Sequence, residues 1–343
     1  MTERNATQAE AATRLLELIQ IRLISESIHV AAALGGADLL TDEPKTVEQV
    51  AEATGVSASS LRRVMRALAS FSVFSEDSAN RFSLAPMGEL LRRDLAGSLN
   101  APALFFGGET GASTLRLFLE CIKTGESATE KLSGGNWIDW LQSDPNRTKL
   151  FNDVMTAFST LHFTGVLEAY DFSQATKIVD VGGGHGKIIS EILKRNPGVH
   201  GMLFDMPHAF EGGQGTVALA GLVDRCEVVS GDFFISVPAG ADVYLLSRVI
   251  HDWDDEKAVA ILKVVRGAIA PHGRLVLLET MLRPTERILY PVLSDLNMLL
   301  LTGGCERTEA EYRALYRAAG FELTKTVLTK SPTGTTVIEG RPM

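Results

Sequence analysis

The chain has 343 residues, 45% of them hydrophobic and 22% charged, with a formal net charge of −9. At roughly 150 residues per domain, this length predicts two domains with enough core to need no disulfide or metal staple. The apolar fraction excludes a disordered chain, and the acidic balance argues against bulk capture of nucleic acid or anionic lipid. Cys121, Cys226 and Cys305 are far apart and form no CxxC pair, a pattern suited to a reducing cytoplasm. The opening MTERNATQAE lacks the apolar stretch of a signal peptide, and no apolar run approaches the roughly 20 residues of a membrane helix. The expectation is a cytoplasmic protein acting on a small molecule, with no membrane and no nucleic-acid partner.

Residues 1–100 read as a helical domain. Leu15, Leu18 and Ile19 recur at helical spacing. Thr46 opens a short helix that turns at Gly55, and Ser57 to Ser60 cap a second helix. Two apolar stretches between Phe71 and Leu84 flank Asp77 to Asn80 and predict a small β-wing. Helix-turn-helix plus wing is a DNA-reading shape, and Arg62, Arg63 and Arg66 lend the second helix basic character. Yet residues 1–100 carry 10 basic and 13 acidic side chains, a net charge of −3, where a groove reader needs a basic surface. The winged helix is therefore read as a scaffold, with a metabolite-sensing regulator as the alternative.

Residues 101–170 read as a helical linker rich in aromatics, among them Phe105, Phe106, Trp140, Phe151 and Phe158. Most of these belong in a core, and a few could line a pocket for a flat ligand. From residue 171 the texture changes. Short apolar runs at Lys177, Met202, Cys226, Asp242 and Arg274 alternate with helical segments, which predicts a Rossmann-like, doubly wound, mainly parallel α/β sheet over residues 171–343. Phe321 to Leu328 and Thr335 to Gly340 add an antiparallel edge hairpin. Ligands in such sheets bind at the carboxyl ends of the strands.

The first of these strands runs into Asp180-Val-Gly182-Gly183-Gly184-His185-Gly186-Lys187. Glycines there permit a sharp turn and close approach to a ligand. A dinucleotide fingerprint anchored on Gly182 would need glycine where Lys187 stands, so the loop suits a ligand without a pyrophosphate. Asp205 ends the second strand, where an acid can accept both hydroxyls of a ribose or simply cap the next helix. In Gly231-Asp232-Phe233-Phe234, an acid can meet an exocyclic amine while an aromatic packs on a ring, or can serve the turn alone. His251 stands just past the fourth strand, in Ser247-Arg-Val-Ile-His-Asp-Trp, the position of a catalytic group. Glu279 ends the fifth strand.

These segments, followed by Gly303-Gly-Cys-Glu306-Arg-Thr, occur in this order and in register. Together they resemble the class I S-adenosylmethionine-dependent O-methyltransferases of the plant caffeic-acid type and their bacterial natural-product relatives. The resemblance spans nearly the whole chain. It implies a cytoplasmic, metal-independent homodimer whose N-terminal domain builds the dimer interface, with S-adenosylmethionine as cofactor and an aromatic hydroxyl as acceptor.

By position, the resemblance assigns cofactor contacts to Ser159, Gly182, Gly184, Asp205, Asp232, Phe233 and Ser247; Ser247 stands where plant members often carry lysine. It assigns the base to His251, flanking acids to Glu279 and Glu306, and substrate contacts to Met155, Phe158 and Asp252. A neutral imidazole can take a proton from a phenol, with a carboxylate fixing its tautomer. Glu306 is expected to orient His251 and Glu279 to steer the acceptor. The acidic run Asp252, Asp254 and Asp255 is read as charges at a helix start rather than as a metal site. Two further readings are a nicotinamide oxidoreductase, disfavoured by Lys187, and a cofactor-binding protein without methyl transfer.

Overall fold

The computed structural model describes residues 3–286 and 288–343. They divide into two compact bodies, residues up to 116 with 144–157, and residues 117–143 with 158–343. The stretch 101–170 is thus shared between the two bodies.

In the first body, strands β1 (Lys45–Thr46), β2 (Phe74–Glu76) and β3 (Arg81–Leu84) form an antiparallel sheet in the order β1-β3-β2. Thr46 and Gln49 form a reciprocal capping box on the helix Val47–Thr54, and Gly55 ends that helix in the left-handed region. Ser57 caps the helix Ala58–Ser70 by accepting from the N–H of Ser60. Val47, Val50, Leu61, Leu68, Phe74 and Phe82 form the core, which is why this helix pair and wing hold together. Arg62 reaches Glu48 at 2.5 Å, and Arg66 grips Glu76 with two nitrogens. Two of the three arginines of the second helix therefore face carboxylates of their own domain. On the N-terminal helix Glu3–Gln20, the large apolar side chains Leu15, Leu16, Leu18 and Ile19 are all exposed.

In the second body, seven strands form one sheet in the order β6-β5-β4-β7-β8-β10-β9. They are β4 (Lys177–Val181), β5 (His200–Asp205), β6 (Cys226–Ser230), β7 (Val243–Ser247), β8 (Arg274–Thr280), β9 (Phe321–Leu328) and β10 (Thr335–Pro342). The first five are parallel, while β10 is inserted antiparallel between β8 and β9. This is the doubly wound sheet that the alternating apolar runs predict.

Alternate residues of each central strand enter opposite cores. Val179, Val181, Tyr244, Leu246, Leu275 and Leu277 pack with the helices Asp255–Ala268 and Glu309–Ala318. Ile178, Leu203, Leu245, Val276 and Leu278 pack on the other face with the helix Lys187–Arg195. Both faces are buried, so the strands read as continuously apolar. The winding reverses between β4 and β7, which opens a crevice at their carboxyl ends. The helix Leu289–Leu301 is absent from the sequence reading. Its near-continuous apolar run gives a weak helical stripe, and apolar runs of that kind do not separate helix from strand.

Candidate active site

Two constellations meet the carboxyl ends of β4 and β7. The first is the glycine loop. Gly182 and Gly186 hold φ of 70° and 74°, and a Cβ there would fall 2.8 Å from Val249 and 2.7 Å from Leu203. Gly184 (φ 56°) has open space beside it, and its N–H donates to Asp205 at 2.7 Å. Asp205 also accepts from the N–H of Met206 at 2.6 Å. Asp180 is fully buried beneath the loop, where its carboxyl has only the backbone N–H of Ile189 near it and no well-formed hydrogen bond among the described residues. Burial, and then repulsion from Asp205, push its carboxyl up to about 7.

Asp232 accepts from the N–H of Phe234 at 2.8 Å. Phe233 packs edge-on to Trp253, with ring centroids 6.3 Å apart, and lies beside Gly182. Ser247 ends β7, partly buried. Ser159 and Phe158 are partly buried near the end of the helix Pro145–His162. Phe158 meets the His162 ring edge-on at 5.8 Å. Met155 is 37% exposed, in the segment of that helix belonging to the first body.

The second constellation gathers His251, Glu279 and Glu306, whose polar atoms lie within 4.8 Å of one another. Glu306 has its charge concentrated on one oxygen. Oε1 accepts from Ser294 Oγ at 2.6 Å, Arg248 Nη1 at 2.9 Å and His251 Nδ1 at 3.2 Å. Burial opposes the carboxylate, but Arg248 above all, and then His251 and Ser294, hold its pKa down at about 2. Glu279 has no such cation in contact. Burial pushes it up to about 7, although Oε1 accepts from the N–H of Ile250 at 3.0 Å.

Burial penalises a charged His251, and Arg248 adds to that penalty. The carboxylates of Asp252, Glu306 and Glu279 outweigh both, so His251 titrates above the usual histidine range. Its Nε2 lies 3.5 Å from Asp252 Oδ1. With Nδ1 held by Glu306 and Nε2 next to Asp252, the ring is oriented as a general base's would be. Three such groups could also grip a cation, but the guanidinium of Arg248 already brings a positive charge to Glu306.

Four residues of this site escape the sequence reading. Arg248 has φ 57°, a left-handed conformation rare for a bulky side chain and one that costs roughly 1–3 kcal/mol. That turn aims Nη1 at Thr280 as well as Glu306, and Nη2 at Ser294. Ser294 comes from the unanticipated helix Leu289–Leu301. Arg307 is 2% exposed and braces the turn that carries His251. It donates to the carbonyls of Ile250 at 3.2 Å and Trp253 at 2.7 Å, and to the Asp255 carboxylate at 2.9 Å. Gly304 presses on the same turn so closely that a Cβ would fall 2.0 Å from the His251 carbonyl oxygen. The only signal for the arginines was their place inside the two motifs, because an unpaired arginine is rarely buried. Asp254 caps the helix Asp255–Ala268 by accepting from the N–H of Lys257, as a charge at a helix start does.

Residues 121–322 match the O-methyltransferase domain family, and residues 16–94 match the O-methyltransferase dimerisation domain. A phenazine O-methyltransferase from Lysobacter antibioticus is 38% identical over 100% of both chains. The mitomycin biosynthesis 6-O-methyltransferase of Streptomyces lavendulae is 34% identical over 94% of this chain and 92% of its own. A solved mitomycin 7-O-methyltransferase, 32% identical, superposes with a TM-score of 0.90 over 99% of this chain and 100% of that one. With the O-methyltransferase domain matched over more than half of its length and relatives above 30% identity matched along nearly all of it, the chain belongs to the O-methyltransferase family.

Proposed function

We propose that the protein transfers the methyl group of S-adenosylmethionine to a hydroxyl of a flat aromatic small molecule, with His251 as general base and no metal ion. The observation that carries this reading is the Nδ1 contact of His251 with Glu306 at 3.2 Å, just beyond β7 and beside the glycine loop.

The loop fits the family's cofactor on its own chemistry. The buried Asp180 carboxylate lacks a well-formed donor, and the cofactor offers an ammonium group and hydroxyls. Gly184 leaves room for close approach while Gly182 is packed against Val249, Asp205 is the acid for a ribose, and Asp232 with Phe233 suits an adenine. Ser159 and Ser247 add hydroxyls at the rim. When bound, S-adenosylmethionine supplies a methyl group activated by a positive sulfonium.

The protein's part is to hold the acceptor and remove its proton. Nε2 of His251 takes the hydroxyl proton, while Glu306, held ionised by Arg248, stabilises the imidazolium that forms. Glu279 fixes the backbone of the turn through the N–H of Ile250, and its other oxygen, buried and unpartnered, is the group assigned to steer the acceptor. Phe158 and Asp252 line the acceptor's side. Base assistance of this kind contributes about 10²–10⁴-fold.

In this reading, residues 171–343 hold the cofactor chemistry, residues 1–100 the dimer interface, and residues 101–170 connect them. The exposed leucines of the helix Glu3–Gln20 support a homodimer, as burying them against a second copy removes apolar surface from water. The arginine–glutamate pairs of the winged helix count against a DNA-reading regulator. Three free cysteines suit the cytoplasm, and no helix among the described residues is long and apolar enough to cross a membrane.

The test is a methylation screen over hydroxylated naphthalenes, phenazines and benzoates, with products identified by mass spectrometry. A single methyl gained at a hydroxyl is expected. Tight cofactor binding with no methylated arene would sink the reading.

A further inference from the structure

One buried histidine near this site has no part in the chemistry above. His162 closes the helix Pro145–His162, and its Nε2 has no hydrogen-bond partner among the described residues. Its other nitrogen sits on a ladder of hydroxyls. Nδ1 is 2.7 Å from Thr333 Oγ1 and 3.3 Å from Thr335 Oγ1.

The ladder decides where the ring proton sits. Ser331 donates its one hydroxyl hydrogen to the carbonyl of Leu161 at 2.8 Å. The 2.7 Å contact between Ser331 and Thr333 must then use the hydrogen of Thr333. Thr333 Oγ1 has no hydrogen left and can only accept from His162, so Nδ1 carries the proton. Burial, and then the cation of Arg248, keep the ring neutral. A neutral ring protonated on Nδ1 presents a bare lone pair on Nε2.

The residue that holds the other ring nitrogen, Thr333, also touches the cluster around His251. Glu306 binds Arg248, Arg248 binds Thr280, and Thr280 Oγ1 donates weakly to the Thr333 carbonyl at 3.5 Å. The His162 ring touches Phe158 and faces Tyr290, with centroids 6.1 Å apart. A buried acceptor without a donor is costly, and the cost is recovered when a ligand brings one.

We propose that His162 Nε2 accepts a hydrogen bond from the aromatic substrate, which therefore carries a second protic group, an O–H or N–H, besides the hydroxyl that is methylated. The proposal rests on the reading of the chain as a methyltransferase of aromatic hydroxyls. His162 is then a specificity-determining residue, and it rejects an acceptor whose second group has no hydrogen to give.

The experiment has two arms. Nitrogen NMR on histidine-labelled, unmodified protein reads the tautomer directly. The expected result is a neutral His162 with the proton on Nδ1, and an Nε2 resonance that shifts when a dihydroxynaphthalene joins the S-adenosylhomocysteine complex. The corresponding mono-hydroxylated naphthol should leave that resonance in place. A proton on Nε2, or no shift with any dihydroxynaphthalene that binds, overturns the proposal.

The kinetic arm compares the same probes. Wild type should favour the dihydroxy acceptor by about 10- to 100-fold in kcat/KM. His162→Phe should bring that ratio close to one while S-adenosylhomocysteine binds as before, and a preference that survives the substitution refutes the assignment. If no hydroxyarene binds or is methylated while His162 shows the stated tautomer, it is the aromatic-acceptor reading that has failed, and the proposal falls with it.

Discussion

Asp180 provides a test in which function and stability pull in opposite directions. Its carboxyl is pushed up to about 7 from an ordinary 3.8, first by burial and then by Asp205. Between those values the folded chain keeps a proton that the unfolded chain has released. Stability therefore falls as pH rises through this window, by about 1.4 kcal/mol per unit and about 4 kcal/mol across it. Glu279, raised to about 7 from 4.5, acts in the same direction over most of the same range. Glu306, held near 2, works oppositely, but its effect is complete above 4.5 and does not enter. Asp180→Asn keeps the shape and removes the charge. In urea unfolding of the ligand-free protein from pH 5 to 8, the variant should lose roughly half of the downward slope. Above pH 7 it should be the more stable protein, by about 2–4 kcal/mol. Calorimetry should show S-adenosylmethionine binding about tenfold more weakly, as the donor-seeking carboxylate is gone. Identical slopes in both proteins would refute a strained, high-pKa Asp180.

Replacing His251 with alanine should lower kcat by about 10²–10⁴-fold and leave cofactor affinity nearly intact; equal loss of both in calorimetry would mark it as structural. The pH profile of kcat/KM should rise through a value above the ordinary histidine pKa, because only neutral His251 can take the proton. In Glu306→Gln that inflection should move down, since the imidazolium loses its partner, and kcat should fall at every pH. A profile that does not move would exclude Glu306 as the orienting acid. The same variant strands the Arg248 cation and should cost about 3–5 kcal/mol, visible as a lowered Tm. Arg307→Met should lower both Tm and kcat with little change in cofactor affinity, because it loosens the turn bearing His251 without touching the glycine loop. Dialysis against EDTA should leave activity unchanged; loss restored by magnesium would put a cation among His251, Glu279 and Glu306.

The alternation of apolar runs and helical patterns was enough for the doubly wound sheet, because strands buried on both faces must be apolar throughout. The positions of the glycine loop, Asp205, Asp232, His251 and Glu279 were legible because each lies at or just past a strand end, where chain order and sheet topology leave little freedom, whereas Glu306 follows the helix Leu289–Leu301 and was reached by motif order alone. The helix Leu289–Leu301 was not legible, since its apolar residues do not confine themselves to one stripe. Nor was the division of residues 101–170 between two bodies, which depends on packing partners remote in sequence.

The residues that charge the site were hidden for a related reason. Arg248 and Arg307 look like surface arginines until Glu306 and the carbonyls of the turn around His251 are brought to them from distant segments. Which glutamate touches His251 is a matter of a few ångströms between two loops, and no spacing along the chain encodes it. Local periodicity and motif order therefore determined the fold and the place of the chemistry. The protonation states on which that chemistry depends were decided by tertiary structure alone, because burial and charge proximity arise only when separate segments meet.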